Sequence, residues 1–403
     1  MAVTDAATAA AVAPGAAPAA ESHQREMSGG AHFSALDGYR AMAALMVVLT
    51  HVATVTNSTD GFFGHVLGRF DFGVPLFFLM SGFLLYRPWA KSALTASPRP
   101  STGRYALRRA ARIFPLYWVV VIVVLATLPE IQPVSQSEWI VHLLALQIYQ
   151  PSGPSEGLFQ TWSLCTEISF YVALPFLGWI GLGRSHRDPL SAWRRQMWLI
   201  GVLVVGSTIW NVYRFTHADS LPYGGQMWLP GFLDWFGAGM LLALVSVRSR
   251  LPGPMPWVVR TGLALAKDQV ACLIIALSVF VVACTPVAGV YLFAPNTPAQ
   301  NIIKHDLYLA AALFLLIPGV LMPPRGWTAW LTKPVPHRLG LISYGIFLWH
   351  LYLLRLLMPA MGIPVLSGHA WQITAVLLVI TIAIASVTYV LVERPSQRWA
   401  HQY

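Results

Sequence analysis

Two side chains with acid–base and anion-binding chemistry, Arg40 and His51, stand eleven residues apart in the otherwise apolar run 36–56. In a helix, at about 100° per residue, that spacing returns both to nearly one face, and the rise separates them by about 16 Å. If the run crosses a membrane, the arginine lies near one boundary and the imidazole well inside the bilayer. An ionisable group at that depth must be hydrogen-bonded or face a wet cavity, which makes it a candidate for function. Its near-neutral basicity suits a histidine to take a proton from an alcohol. Arg40 reads in two ways, as support for an anionic substrate group or as a side chain snorkelling to the interface.

Other stretches offer further chemistry. His350 ends Ser343-Tyr344-Gly345-Ile346-Phe347-Leu348-Trp349-His350, a second intramembrane histidine whose aromatic neighbours suit either a substrate wall or the membrane interface. Glu167, in Thr161-Trp162-Ser163-Leu164-Cys165-Thr166-Glu167, falls in the outer third of its apolar segment and needs a partner. His51, Arg69 and His142 are candidates, and a structural ion pair and a catalytic role are both open. Arg108, Arg109 and Arg112 close the most basic stretch of the chain. Arg109 and Arg112 share a helix face and can grip phosphate oxygens, although the same residues can simply anchor a membrane boundary. Ser81-Gly82 in a Phe-rich segment points to close helix packing, because no GxSxG elbow surrounds the serine. Asp234 reads as a polar packing contact near a cavity. Cys165, Cys272 and Cys284 lack CxxC or Cys/His spacing, so neither a disulfide framework nor a metal site is expected.

The elements that position these groups follow from composition. Of 403 residues, 56% are hydrophobic and 10% charged, where a soluble domain carries about a quarter charged. The expected fold is all-α, a polytopic membrane protein of about ten transmembrane helices over 36–56, 70–87, 113–129, 162–182, 197–213, 228–247, 269–290, 306–322, 341–359 and 371–392. The stretch Glu138 to Tyr149 is too short to cross and reads as an interfacial or re-entrant helix. The net charge of +10 does not require nucleic acid. With both termini cytoplasmic, all 26 lysines and arginines except Arg69, Arg214, Lys304 and Arg355 fall on the inner side, a strong positive-inside bias. Residues 1–32, Ala- and Pro-rich without a basic start, read as a disordered cytoplasmic tail rather than a cleaved signal peptide. Residues 33–395 read as one membrane domain, and 396–403 as a short cytoplasmic tail.

Taken together, six stretches in order resemble the acyltransferase family 3 membrane proteins, multi-spanning bacterial acyl-CoA-dependent O-acyltransferases. They are Leu36-Asp37-Gly38 with Arg40 and His51; Phe77-Phe78 with Ser81-Gly82-Phe83; Arg109-Ala110-Ala111-Arg112; Thr161-Trp162-Ser163-Leu164 with Glu167 and Tyr171; Ser343-Tyr344 with Trp349-His350; and Glu393-Arg394-Pro395. Pro75 departs from the acidic residue that many relatives carry before the paired phenylalanines, and Tyr39 from the usual leucine. The resemblance implies an acyl-CoA donor, acetyl-CoA foremost, approaching from the cytoplasm toward Arg108, Arg109 and Arg112 with Arg40 in support. It implies His51 as general base or transient acyl carrier, with Glu167 or His350 orienting it; the base is preferred because a thioester is already activated. It further implies a bacterial plasma-membrane enzyme of the stand-alone type, without an SGNH hydrolase-like extension. The acceptor would be the hydroxyl of an envelope glycolipid, a glycan or a macrolide-like small molecule. The Ala/Pro/Arg-rich composition suggests a GC-rich genome, in which envelope glycolipids are plausible acceptors.

Two other classes compete. A proton-coupled secondary transporter also places His, Glu and Arg inside spans, but more often shows inverted repeats, and none is apparent here. A polyprenyl-phosphate-dependent glycosyltransferase would use acids near the outer face, where Asp60 and Asp71 lie apart from one another.

Overall fold

A computed structural model describes residues 33–95, 97–183, 189–289 and 296–403, so the tail expected over 1–32 lies outside the described residues. Among the described residues all regular structure is helical. The chain runs through α1 (Ala35–Val55), α2 (Gly61–Gly68), α3 (Gly73–Thr95), α4 (Thr102–Thr127), the short α5 (Gln136–Leu143), α6 (Thr161–Leu182), α7 (Pro189–Thr216) and α8 (Leu233–Arg248). It continues through α9 (Trp257–Lys267), α10 (Gln269–Ala283), α11 (Pro298–Leu321), the short α12 (Gly326–Trp330) and α13 (Pro334–Leu341), α14 (Ser343–Ala360), α15 (Ala370–Thr388) and α16 (Arg394–His401). A π-helical turn, Tyr389–Glu393, joins the last two. Eight stretches are long and apolar enough to cross a membrane, or ten if two bent pairs each count as one span. The pairs are α9 with α10, bent by 93°, and α13 with α14, bent by 66°.

Large apolar side chains point outward at helical spacing: Val172, Phe176 and Ile180 on α6, Val202, Val205 and Ile209 on α7, Ile274, Leu277 and Val281 on α10. Stripes of this kind on three helices would be unstable in water and are the natural surface of a protein solvated by lipid. The protein is therefore a polytopic, all-helical membrane protein.

Several boundaries differ from the sequence expectation, each for a local reason. The third span was expected from 113, yet α4 begins at Thr102, because Ser101 caps it by accepting from the Arg104 N–H and the arginines can extend away from lipid. The seventh does not run on to 290: α10 ends at Ala283, and Pro286 follows. Asp268 breaks the preceding helix and restarts α10, accepting from the Ala271 N–H at 2.9 Å. The interfacial stretch is α-helical only over α5, where Ser135 and Glu138 form a reciprocal capping box, and it ends in a short 3-10 helix at Gln147–Tyr149. Hydrogen bonds from Ser135 hold the Glu138 carboxyl below its ordinary value.

At the centre α3 and α8 form the most extensive helix pair. A Cβ at Gly82 would lie 2.2 Å from the Phe236 carbonyl oxygen, so only glycine permits this approach. Phe236 is then stacked between Phe78 and Phe170, with ring centroids at 4.6 and 4.0 Å. Around this aromatic core α1, α6 and α14 carry the candidate catalytic residues His51, Glu167 and His350, and α4 carries the candidate donor-binding arginines.

The four basic residues set apart by the charge count are all tied down. Arg69 donates to the Ala288 and Gly289 carbonyls, and Arg214 to the Gln226 and Gly231 carbonyls. Lys304 pairs with Asp71 at 2.7 Å, and Arg355 pairs with Glu156.

Candidate active site

The two intramembrane histidines meet. α1 and α14 pack side by side, and the Nε2 of His350 lies 3.0 Å from the Nδ1 of His51. Each ring also faces the carbonyl one turn earlier in its own helix: His51 Nδ1 is 2.9 Å from the Val47 oxygen, and His350 Nδ1 is 3.2 Å from the Ile346 oxygen. A carbonyl only accepts, so both Nδ1 atoms carry the proton in the neutral pair. The proton between the rings then belongs to His51, and the His350 Nε2 lone pair receives it. This arrangement leaves the Nε2 of His51 as the unprotonated nitrogen. If that nitrogen gains a proton, His350 still accepts from the resulting imidazolium. His350 is fully buried and His51 partly so.

A narrow cavity of about 90 Å3 opens between α1, α3, α4, α6 and α14. Arg40, Arg109, Arg112, Ser81, Glu167 and Tyr171 are among its polar lining, with Ser163, Ser343 and Tyr344. Arg109 sits over the Tyr171 ring at 5.9 Å, and Arg40 pairs with Asp37 at 3.0 Å, which His337 also approaches at 3.1 Å. Arg108, one residue along α4 from Arg109, is exposed and lines no part of the cavity. Phe77 and Phe347 are also cavity walls, and the Phe347 ring lies 6.3 Å from that of His350. One aromatic ring therefore stands between the arginine-lined slot and the histidine pair.

Glu167 belongs to the slot. The Ser81 hydroxyl and the Tyr171 hydroxyl, the latter at 2.7 Å, both donate to its Oε1. None of the partners expected from the sequence bonds it: His51 is engaged by His350, Arg69 by the carbonyls after α10, and His142 by the Glu138 carbonyl and the Ser155 N–H. The expectation failed because residue depth along single spans says little about which spans adjoin. Tyr171 lies one turn after Glu167, a spacing that could have identified it; Ser81 comes from another helix and could not have been found that way.

A second polar cluster escaped the sequence reading. Asp234 accepts from His305 Nε2 at 2.7 Å, from the Ser207 hydroxyl at 3.0 Å and from the Trp235 N–H at 2.9 Å, with Asn211 beside the imidazole. His305 lies between Lys304 and Asp306, which makes it look like part of a hydrophilic helix end. Asp234 does hold helices together, as its sequence context suggested. Among the described residues no group of three or more His, Cys, Asp or Glu side chains is arranged to hold a metal ion.

The geometry supplies a basic nitrogen, a partner to stabilise its charged form, and a cationic slot one ring away. Comparison with known proteins gives the family of the chain. The exopolysaccharide production protein ExoZ of Rhizobium meliloti is 27% identical over 81% of this chain and 89% of its own length. Nodulation protein 10 of Rhizobium leguminosarum bv. viciae is 24% identical over 91% of this chain and 94% of its own. The peptidoglycan O-acetyltransferase OatA of Listeria monocytogenes is 26% identical over 90% of this chain but 55% of that longer protein. No solved structure matches the chain. The acyltransferase domain family matches residues 33–390, nearly the whole of the described helical bundle, and the chain belongs to that family of membrane acyltransferases.

Proposed function

We propose that this protein is an O-acyltransferase of a bacterial plasma membrane, moving an acyl group, acetyl foremost, from acyl-CoA to a hydroxyl of a cell-envelope glycan or glycolipid. The observation that carries the reading is the histidine pair, whose hydrogen bonds leave the Nε2 of His51 free to accept a proton. In this reading both termini are cytoplasmic, and the four basic residues on the other side are each tied to carbonyls or carboxylates.

Acyl-CoA approaches the cytoplasmic mouth. Arg109 and Arg112, backed by Arg40, attract its phosphates, and the narrow slot accepts the thioester arm rather than the whole nucleotide. Glu167, held by Ser81 and Tyr171, fixes the polar wall of the slot and balances its arginines. The acyl carbon passes the Phe77 and Phe347 rings to reach His51. His51 Nε2 takes the proton of the acceptor hydroxyl while its oxygen attacks the thioester carbonyl carbon. The carbon–sulfur bond then breaks, the ester remains on the acceptor, and the proton on Nε2 passes to the departing CoA sulfur. His350 is a positioning residue that stabilises the imidazolium, the part a carboxylate plays in serine hydrolases. The names of two relatives, an exopolysaccharide production protein and a peptidoglycan O-acetyltransferase, favour a glycan acceptor.

Purified protein in lipid vesicles, given radiolabelled acetyl-CoA and envelope extract, should transfer label to glycan or glycolipid. Absence of transfer with every acyl-CoA tried, combined with proton-coupled solute uptake, would favour a transporter instead.

A further inference from the structure

α4 and the C-terminal helix α16 pack against each other and leave a groove of about 480 Å3 on a face of the bundle away from the arginine slot. α4 lines it with Leu107, Ala110, Ala111, Phe114, Pro115 and Trp118, a single apolar stripe at i, i+3, i+4, i+7, i+8 and i+11. From Leu107 to Trp118 the stripe runs eleven residues, about 16 Å along the helix axis. That length is close to half of the roughly 30 Å hydrocarbon core, the depth of one leaflet. α16 adds Pro395 and Trp399 to the lining. The Trp118 and Trp399 indoles remain 45% and 52% exposed, so the groove is open to the surroundings of the bundle.

Charge is confined to one end of this groove. Arg104 and Arg108 continue the stripe at seven and three residues before Ala111, and Arg394 and Arg398 belong to α16; all four are exposed. From Ile113 to the end of α4 at Thr127 the helix carries no charge. Neither α4 nor α16 contains an acidic residue, and Glu393, which precedes α16, is buried. Among the described residues none of these four arginines pairs with a carboxylate. A leaflet-long apolar stripe that ends in unpaired guanidinium groups matches an acyl chain that ends in a phosphate. A zwitterionic headgroup would bring a second cation to a patch with no acid to receive it, so the match is to an anionic lipid.

We propose that the α4–α16 groove is a binding site for an anionic phospholipid, its acyl chain along Leu107 to Trp118 and its phosphate on Arg108 and Arg398. The lipid bridges two helices, fastening α16, which at eight residues is too short to be stable alone, to α4. This site is separate from the acyl-transfer reading and gives the exposed Arg108 a role outside the slot.

The test uses the full-length protein in nanodiscs of phosphatidylcholine and phosphatidylglycerol, with the lipid retained by the released protein counted by native mass spectrometry. Wild-type protein should retain phosphatidylglycerol in preference to phosphatidylcholine. The double variant Arg108→Gln/Arg398→Gln, at exposed positions that spare the fold, should lose about fivefold of that preference per arginine. Location is read with chain-brominated lipids, which quench nearby tryptophans. Brominated phosphatidylglycerol should quench more than brominated phosphatidylcholine, and Trp118→Phe/Trp399→Phe should remove that excess. Equal retention of the two lipids by the wild type overturns the proposal, as does an unchanged preference in the arginine variant. Excess quenching that survives in the tryptophan variant places the lipid elsewhere and also overturns it. Added coenzyme A should leave phosphatidylglycerol bound; its displacement would assign these arginines to the phosphates of the acyl donor and refute a lipid site.

Discussion

Replacing His350 by alanine separates a positioning role from a structural one. In the wild type, His51 Nδ1–H is shared between the Val47 carbonyl at 2.9 Å and His350 Nε2 at 3.0 Å. Without His350 the Val47 carbonyl still holds the Nδ1 proton in place, so the basic nitrogen of His51 is preserved. What is lost is the difference between a hydrogen bond to an imidazolium, about 1.5–3 kcal/mol, and one to a neutral ring, about 0.5–1.5 kcal/mol. Only that difference slows the chemical step, because an interaction equal in ground and transition states cancels. A loss of about 1–1.5 kcal/mol corresponds to a fall in kcat of about 5- to 13-fold. The donor KM should stay unchanged, since His350 does not line the arginine slot. The assay is steady-state acyl transfer in vesicles, run below the melting temperature of the variant, because truncating a fully buried side chain also costs stability. His350→Gln, which restores an acceptor oxygen, should recover part of the loss. An unchanged kcat in His350→Ala, or an effect confined to donor KM, would refute the reasoning.

Other expectations follow from the same geometry. Arg109→Ala and Arg112→Ala should raise the donor KM with residual binding weakened by salt, while the exposed Arg108→Ala should leave it near wild type; donor titrations at two ionic strengths decide this. Ser81→Ala removes one of the two hydroxyls donating to Glu167 and should cost about 1 kcal/mol in kcat/KM, whereas an unchanged value would reduce Ser81 to a packing residue. Gly82→Ala forces a Cβ against the Phe236 carbonyl and should destabilise the bundle by about 1–3 kcal/mol, seen as a lower melting temperature in detergent.

The sequence was most informative where a physical rule acts along a single helix. The approximate position of most spans follows from hydropathy, and the pairing of Arg109 with Arg112 on one cavity wall follows from their i, i+3 spacing. Whether α1 and α14 adjoin does not follow from either segment, so His51 and His350 could be named from the sequence but not joined. The mistaken partners of Glu167 have the same origin, since its hydrogen bond to Ser81 crosses from α6 to α3. The expected span starts at 269 and 341 fall at the breaks at Asp268 and Ile342, whereas the short helices α9 and α13, bent by 93° and 66° from the spans they precede, were not expected because each is too short to register as a span of its own. His305 was obscured by its charged neighbours, and only the convergence of α7, α8 and α11 buries it against Asp234.

The central claim is that His51 is the base for acyl transfer. Its most direct test is the rate of label transfer from acetyl-CoA to glycan by His51→Ala in vesicles, alongside a melting curve and a donor-binding titration. The account predicts a folded protein that binds acetyl-CoA with near-wild-type affinity and transfers almost no acetyl group, falling well below His350→Ala. Wild-type transfer by a folded His51→Ala protein would contradict it.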